Sequence, residues 1–206
     1  FLISLLYLSS CTGFGVYQAT FIAATDLIIP NNYVAIEQDY FNDQKYSFAM
    51  VKIGNRDAIT MVLQSSFEGT YKWVSSEGEI IFTNKAGRIT KTVGLSHDVY
   101  YMPLAAPDLF VLQGPAELDY LIDFKSPELT RIIGIERYSP TLFLMDHTYV
   151  SGKDIKVQKT NFLTEVPLIS WKAEGYILLS DGQAVASSQL IHPHFPRIDI
   201  YFYYKP

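Results

Sequence analysis

The residues of this 206-residue chain that could carry chemistry fall into a few small groups. His192-Pro193-His194 sets two imidazoles two positions apart. A proline separates them, Pro196 follows, and no carboxylate stands at short metal-ligand spacing on the N-terminal side, so the segment reads as a surface turn and no metal is expected. Glu117, Asp119 and Asp123 share one face of an alternating run. Two carboxyl groups held several ångströms apart are what glycoside hydrolysis uses. Leu118, Tyr120, Ile122 and Phe124 supply the opposite, apolar face, so the acids read as a solvated outer surface. Trp73 and Trp171 are the two tryptophans, and Arg88 and Lys91 lie near Trp73 in the chain. Aromatic rings stack on the apolar faces of sugars, and cations bind hydroxyls and acids. These four residues are therefore the candidate glycan- or partner-binding set, against the competing reading of tryptophan as core packing. The chain has no Gly-x-Ser-x-Gly elbow and no phosphate-cradling glycine loop. No catalytic residue and no cofactor are expected.

The remaining chemical group is the single thiol. Cys11 follows an uncharged apolar run, FLISLLYL, and two small residues, Ser9 and Ser10. That is the layout of a secretory signal peptide, and at about eight residues the run is far short of the roughly 20 needed to span a bilayer. Leu-Ser-Ser-Cys resembles a lipobox, in which the sulfur is diacylated, the preceding bond is cut and the new amino terminus is acylated. The competing reading is a buried free thiol in a core strand. Residues 1–10 are taken as the remnant of a signal peptide whose basic start lies upstream, because the first cation is Lys45. Residues 11–15 are taken as a lipidated tether. More than one acyl chain holds a protein firmly to a membrane, where one alone is marginal.

Bulk composition narrows the class. Hydrophobic residues are 49 % and charged residues 18 % of the chain, enough for a core and too apolar for disorder. The net charge of −5 with scattered cations argues against nucleic acid as a partner. One cysteine allows no intramolecular disulfide. The 15 tyrosines favour strands and suggest a wet cavity or an interface.

The elements that would position these residues are mostly strands. Tyr17–Leu27 carries an apolar face at helical spacing and ends at Pro30-Asn31-Asn32. Beyond it come short strand-like runs split by turn signals: Tyr46–Ile53 and Ala58–Leu63 around Gly54-Asn55, Thr70–Ser75 and Glu79–Thr83 around Glu77-Gly78, and Arg88–Val93 after Gly87. A loop is expected near Pro103 and Pro107. Further runs cover 117–124, 130–138, 155–162, 168–171, 175–179, 183–190 and 198–204, with Asp181-Gly182 a strong hairpin signal. The expectation is a mainly β fold, an antiparallel β-sandwich or partly closed β-barrel of roughly ten to twelve short strands with one N-terminal helix, as a single domain over 16–206. In Gly87–Leu95, Gly87 suits a positive φ, and strict alternation would put Ile89, Lys91, Val93 and Leu95 on one face.

Lys72-Trp73, Ser75, Thr83 and the run GRITKTVGL from Gly87 to Leu95 resemble the central signature of the YjbF/GfcB lipoproteins of group 4 capsule and exopolysaccharide clusters. Tyr46–Met50 is similar to the first strand of that family, and Ser188-Gln189-Leu190, Pro193, Phe195-Pro196, Ile198–Ile200 and Lys205-Pro206 are similar to its ending. The resemblance implies a lipoprotein of the periplasm that works with polysaccharide export and brings no catalytic residues. Thr12 after the cysteine, in place of the aspartate that retains lipoproteins in the inner membrane, implies the outer membrane. The expected partners are that membrane, an exopolysaccharide and other proteins of the secretion cluster. Two rival readings remain: a lipid or lipoprotein carrier with an apolar cavity, and a periplasmic glycan hydrolase or modifying enzyme.

Overall fold

Twelve antiparallel strands close on themselves in a computed structural model that describes residues 36–104, 115–125, 128–150 and 152–205. Each strand pairs with its neighbours in the chain: β1 (Phe48–Ile53), β2 (Ile59–Phe67), β3 (Thr70–Ser75), β4 (Ile80–Asn84), β5 (Ile89–Val93), β6 (Val99–Pro103), β7 (Ala116–Lys125), β8 (Glu128–Val150), β9 (Lys153–Val166), β10 (Trp171–Ser180), β11 (Gln183–Gln189) and β12 (Ile198–Tyr203). β1 and β12 then pair over six positions, Phe48 with Tyr203 through Ile53 with Ile198. The barrel therefore has no open edge, which removes the aggregation hazard of an unpaired strand. The expected β class holds, and closure is complete. Cys11, the Tyr17–Leu27 helix and the tether lie outside the described residues. α1 (Gln38–Asp43) is a separate short helix.

Alternation sets which side chains enter. On β7, Tyr120, Ile122 and Phe124 are buried while Glu117, Asp119 and Lys125 are exposed. The outer position of the acidic row is thus as read from the sequence. At the closing seam Ala49, Val51, Ile53, Ile198, Ile200 and Phe202 belong to the core. Phe48 and Tyr203 lie on the opposite face, stacked at 4.9 Å, with Phe41 of α1 and Tyr149 of β8 against them. Such aromatic pairs add about 0.5–1.5 kcal/mol beyond their buried area. β8 and β9 are longer than expected, and the tip of their hairpin reaches β12, where the Tyr204 amide donates to the Tyr149 hydroxyl at 3.2 Å.

A barrel of eight strands is just filled by ordinary side chains, and twelve enclose more. The largest buried side chains accordingly include Trp73, Arg88, Tyr101, Tyr138, Phe124 and Phe202. Tyr101, Tyr120 and Tyr138 therefore serve the interior, where the composition suggested a wet cavity or an interface.

Three local readings change. Val99–Pro103, where no strand is expected, is β6, and Pro103, expected in a loop, is its last position. Leu168 and Ile169, read as the start of a strand over 168–171, belong to a 3-10 turn over Pro167–Ile169. Gly87 has φ +82° as expected, and a Cβ there would lie 2.7 Å from that of Ala184. Just beyond it a bulge intervenes: Phe82 pairs with Lys91, but Thr83 pairs with Ile89. Ile89 points into the core and Lys91 and Val93 point out, with Val93 38 % exposed. The extra residue reverses the alternation that the sequence pattern alone implied.

Candidate functional site

The four candidate binding residues are not brought together. Trp73 and Arg88 are each 1 % exposed inside the barrel. Trp171 is at the far rim, edge-to-face with Phe124 at 5.7 Å. Lys91 alone stands on the outer wall.

Arg88 anchors a buried polar network. Its Nε donates to Glu136 of β8 at 3.1 and 3.3 Å, and Nη2 forms an ion pair with the same carboxylate. Nη1 donates to the Gln189 side chain at 2.7 Å and to the Ile89 carbonyl at 3.0 Å. Gln189 in turn donates to the Gly87 carbonyl at 2.6 Å and to Ser187 at 2.9 Å. Glu136 accepts from Thr164 at 2.9 Å and from Tyr138 at 2.5 Å. The Tyr138 proton is committed there, so Tyr120, 3.3 Å away, donates to Tyr138. The guanidinium lies 4.5 Å from the Tyr101 ring centroid and 5.0 Å from that of Phe162. Burial opposes the charge on Arg88, yet the Glu136 carboxylate outweighs it and raises its pKa. The network ties strands on several sides of the barrel and fills its middle, which is a structural role.

Burial, followed by the Glu136 charge, pushes Tyr120 up to about 12. Burial also raises Tyr138, with Glu136 adding to the effect. For Tyr101 burial raises the pKa and Arg88 partly offsets it. The unfolded chain releases these protons near pH 10, before the folded one does. Stability contributed by these phenols is therefore complete below about pH 10 and falls as pH rises toward about 12. Ultraviolet titration is expected to show a group of tyrosines that ionise only together with loss of the far-ultraviolet β signal. Smooth ionisation of every tyrosine before unfolding would contradict this.

At the far rim, His97, His192 and His194 cluster, with ring centroids 4.8 to 6.4 Å apart. His192 and His194 border a cleft of about 340 Å³ that Trp171 and Phe124 also line. The His194 amide donates to Nδ1 of His192 at 3.0 Å. A neutral His192 therefore carries its proton on Nε2, which leaves that nitrogen no lone pair for a cation. Among the described residues no three ligands are placed to hold a metal ion.

The outer wall carries the more open arrangement. Register pairs place Lys72 beside Phe82, Phe82 beside Lys91, and Lys91 beside Tyr100, one residue from each of β3, β4, β5 and β6. The Lys91 ammonium lies 5.4 Å from the Phe82 ring centroid and 5.7 Å from that of Tyr100. A groove of about 480 Å³ opens at the Phe82, Lys91 and Tyr100 part of this row, with Glu68, Asn84, Thr90 and Met102 and the inward-facing Tyr101 and Tyr120 also lining it, and Lys72 stands next to Phe82 just outside it. Val62, Val74, Ile80 and Val93 make a parallel apolar row next to it, again by direct pairing. Aromatic faces, amide and ammonium groups in one shallow groove can hold sugar rings by stacking and their polar groups by hydrogen bonds. Lys91 was in the sequence-based set. Phe82, Tyr100 and Lys72 were not, because only the register across four strands aligns them.

A model of the family described as group 4 capsule polysaccharide lipoprotein GfcB, YjbF matches residues 21–202. The crystal structure of the hypothetical lipoprotein YmcC from Escherichia coli K12 superposes with a TM-score of 0.68 at 15 % identity, covering 96 % of this chain and 98 % of that one. A chain from Parabacteroides distasonis gives a TM-score of 0.35 at 9 % identity over 76 % of this chain and 92 % of its own. No curated protein matches. The likeness to the Escherichia coli structure shows a shared fold.

Proposed function

We propose that this chain, which belongs to the group 4 capsule polysaccharide lipoprotein family, is a non-catalytic lipoprotein that assists capsule or exopolysaccharide assembly by holding a stretch of the glycan on its outer wall. The observation that carries the reading is the row Phe82, Lys91, Tyr100, an ammonium between two rings beside a groove open to solvent. Trp73 and Arg88, buried in the core, support the wall from within, and Trp171 belongs to the other rim. The side chains that occupy the barrel's middle leave the carrier reading without support there. The hydrolase reading is weakened because Glu117 is paired with Arg137 at 2.7 Å on the surface and Asp123 with Lys125.

Binding of one short glycan in a shallow groove is weak, and a polymer gains strength through many such contacts. Tyr100→Ala removes one stacking face and is expected to weaken binding of capsular oligosaccharides by about fivefold to tenfold. Isothermal titration measures this, with circular dichroism as a check that the barrel is unchanged. Unaltered glycan affinity in Tyr100→Ala would move the contact elsewhere. No glycan affinity in the parent, together with capture of an export protein, would replace glycan with a protein partner.

Cys11 is the proposed lipid anchor, placing the barrel in the periplasm beneath the outer membrane. Cys11→Ser in the full-length precursor is expected to release the protein from the membrane fraction and to block its processing. Retention in the outer membrane with normal processing would refute the anchor.

A further inference from the structure

The wall row has a period. Lys72 and Lys91 are separated by two strand spacings, and Phe82 and Tyr100 by the same distance, one step out of phase. Neighbouring strands lie about 4.8 Å apart, so the two ammonium groups stem from backbone positions about 10 Å apart. An extended pyranose chain advances by close to one strand spacing per sugar. A glycan laid across the strands would therefore meet lysine, ring, lysine, ring with successive sugars. Lys72 is outward because its neighbours Tyr71 and Trp73 turn to the core side, and Lys91 is outward because of the bulge at Thr90. Acidic side chains flank the row without entering it: Asp123 pairs beyond Tyr100, already bound to Lys125, and Glu68 sits at one corner of the groove.

We infer that the wall row selects a linear anionic glycan carrying one carboxylate on every second sugar, with Lys91 in the groove and Lys72 just outside it meeting successive acids, Phe82 stacking the neutral sugar between them and Tyr100 the neutral sugar beyond Lys91. This rests on the glycan-binding reading above and specifies its substrate class. A glycan with an acid on every sugar would set charges against the two rings, and a neutral glycan would leave both ammonium groups without a counter-charge.

Three octasaccharides test it against the described barrel in the full chain: one alternating glucuronate with N-acetylglucosamine, one fully uronate, and one neutral β-glucan. Affinity is read by titration calorimetry, and the site by amide shifts at Lys72, Lys91 and Tyr100. The alternating acid is expected to bind about fivefold to tenfold more tightly than the neutral β-glucan at about 20 mM salt, because exposed ion pairs are each worth up to about fivefold, and more tightly than the fully uronate chain, whose extra carboxylates would face the two rings. Raising salt to about 500 mM should erase the preference. Lys72→Gln and Lys91→Gln should each remove about half of it on a logarithmic scale, and the double substitution all of it, while the folded β signal stays unchanged. Equal affinity for the neutral glycan overturns the anionic selectivity and leaves the groove a glycan site. Equal or tighter binding of the fully uronate chain overturns the two-sugar period. Absence of any shift in the groove with all three overturns the inference together with the glycan reading beneath it.

Discussion

Replacing Glu136 by alanine is expected to cost about 3–5 kcal/mol of folding stability, because it leaves the Arg88 guanidinium charged and buried without its carboxylate. For a domain of this size that corresponds to roughly 10 °C or more in melting temperature. The loss extends beyond one ion pair. Thr164 and Tyr138 both donate to Glu136, so two hydroxyls lose their acceptor, and Tyr120, which donates to Tyr138, loses a fixed partner. Arg88→Met alone should cost a similar amount for the mirror reason, stranding the carboxylate. The paired change Arg88→Met with Glu136→Leu removes both charges and keeps much of the volume, so it should recover most of the loss, as buried pairs often do when replaced by apolar groups. Urea unfolding followed by far-ultraviolet circular dichroism measures all three variants. A loss below about 1 kcal/mol for Glu136→Ala would mean that water reaches the network and screens it.

Trp73→Ala is expected to be the next most damaging single change, at about 3–5 kcal/mol. The indole is buried against Phe202 at 5.3 Å between ring centroids, beside Tyr71 and Tyr204, and its Nε1 donates to Thr83 at 3.0 Å. Removing it opens a cavity at the junction of β3, β4 and β12 and orphans the Thr83 hydroxyl. Trp73→Phe keeps most of the packing and should lose less than half as much. Affinity for glycan is expected to be unchanged in Trp73→Phe, which separates a core role from a contact role. Weakened glycan binding by Trp73→Phe at unaltered stability would return Trp73 to the binding surface.

The strand segments were legible because alternation and turn residues are local properties. Thr70–Ser75 and the Asp181-Gly182 hairpin are found as read, and Ala116–Lys125 exposes its acids and buries its apolar residues as its pattern requires. The resemblance carried by Lys72-Trp73 and Gly87–Leu95 likewise rests on residue types, and it led to the family whose model covers residues 21–202. Val99–Pro103 ends on a proline, a residue that argues against a strand interior, and its strand character lies in the four residues before it.

Arg88 and Lys91, three positions apart, show where the local signal ends. Nothing in GRITKTV reports the bulge at Thr90 that turns Lys91 onto the wall while Ile89 points inward, or that Arg88, just before the strand begins, enters the barrel. Arg88 meets a carboxylate 48 positions away and an amide 101 positions away. Lys72, Phe82, Lys91 and Tyr100 become neighbours only through three successive strand registers. By itself the sequence determined the β class, most of the strands, the sidedness of β7 and the family. Tertiary structure decided the closure, which cation is buried, and which residues form the groove. The reason is physical: side-chain alternation is set within one strand, whereas register and bulges are set between strands by the packing of a shared interior.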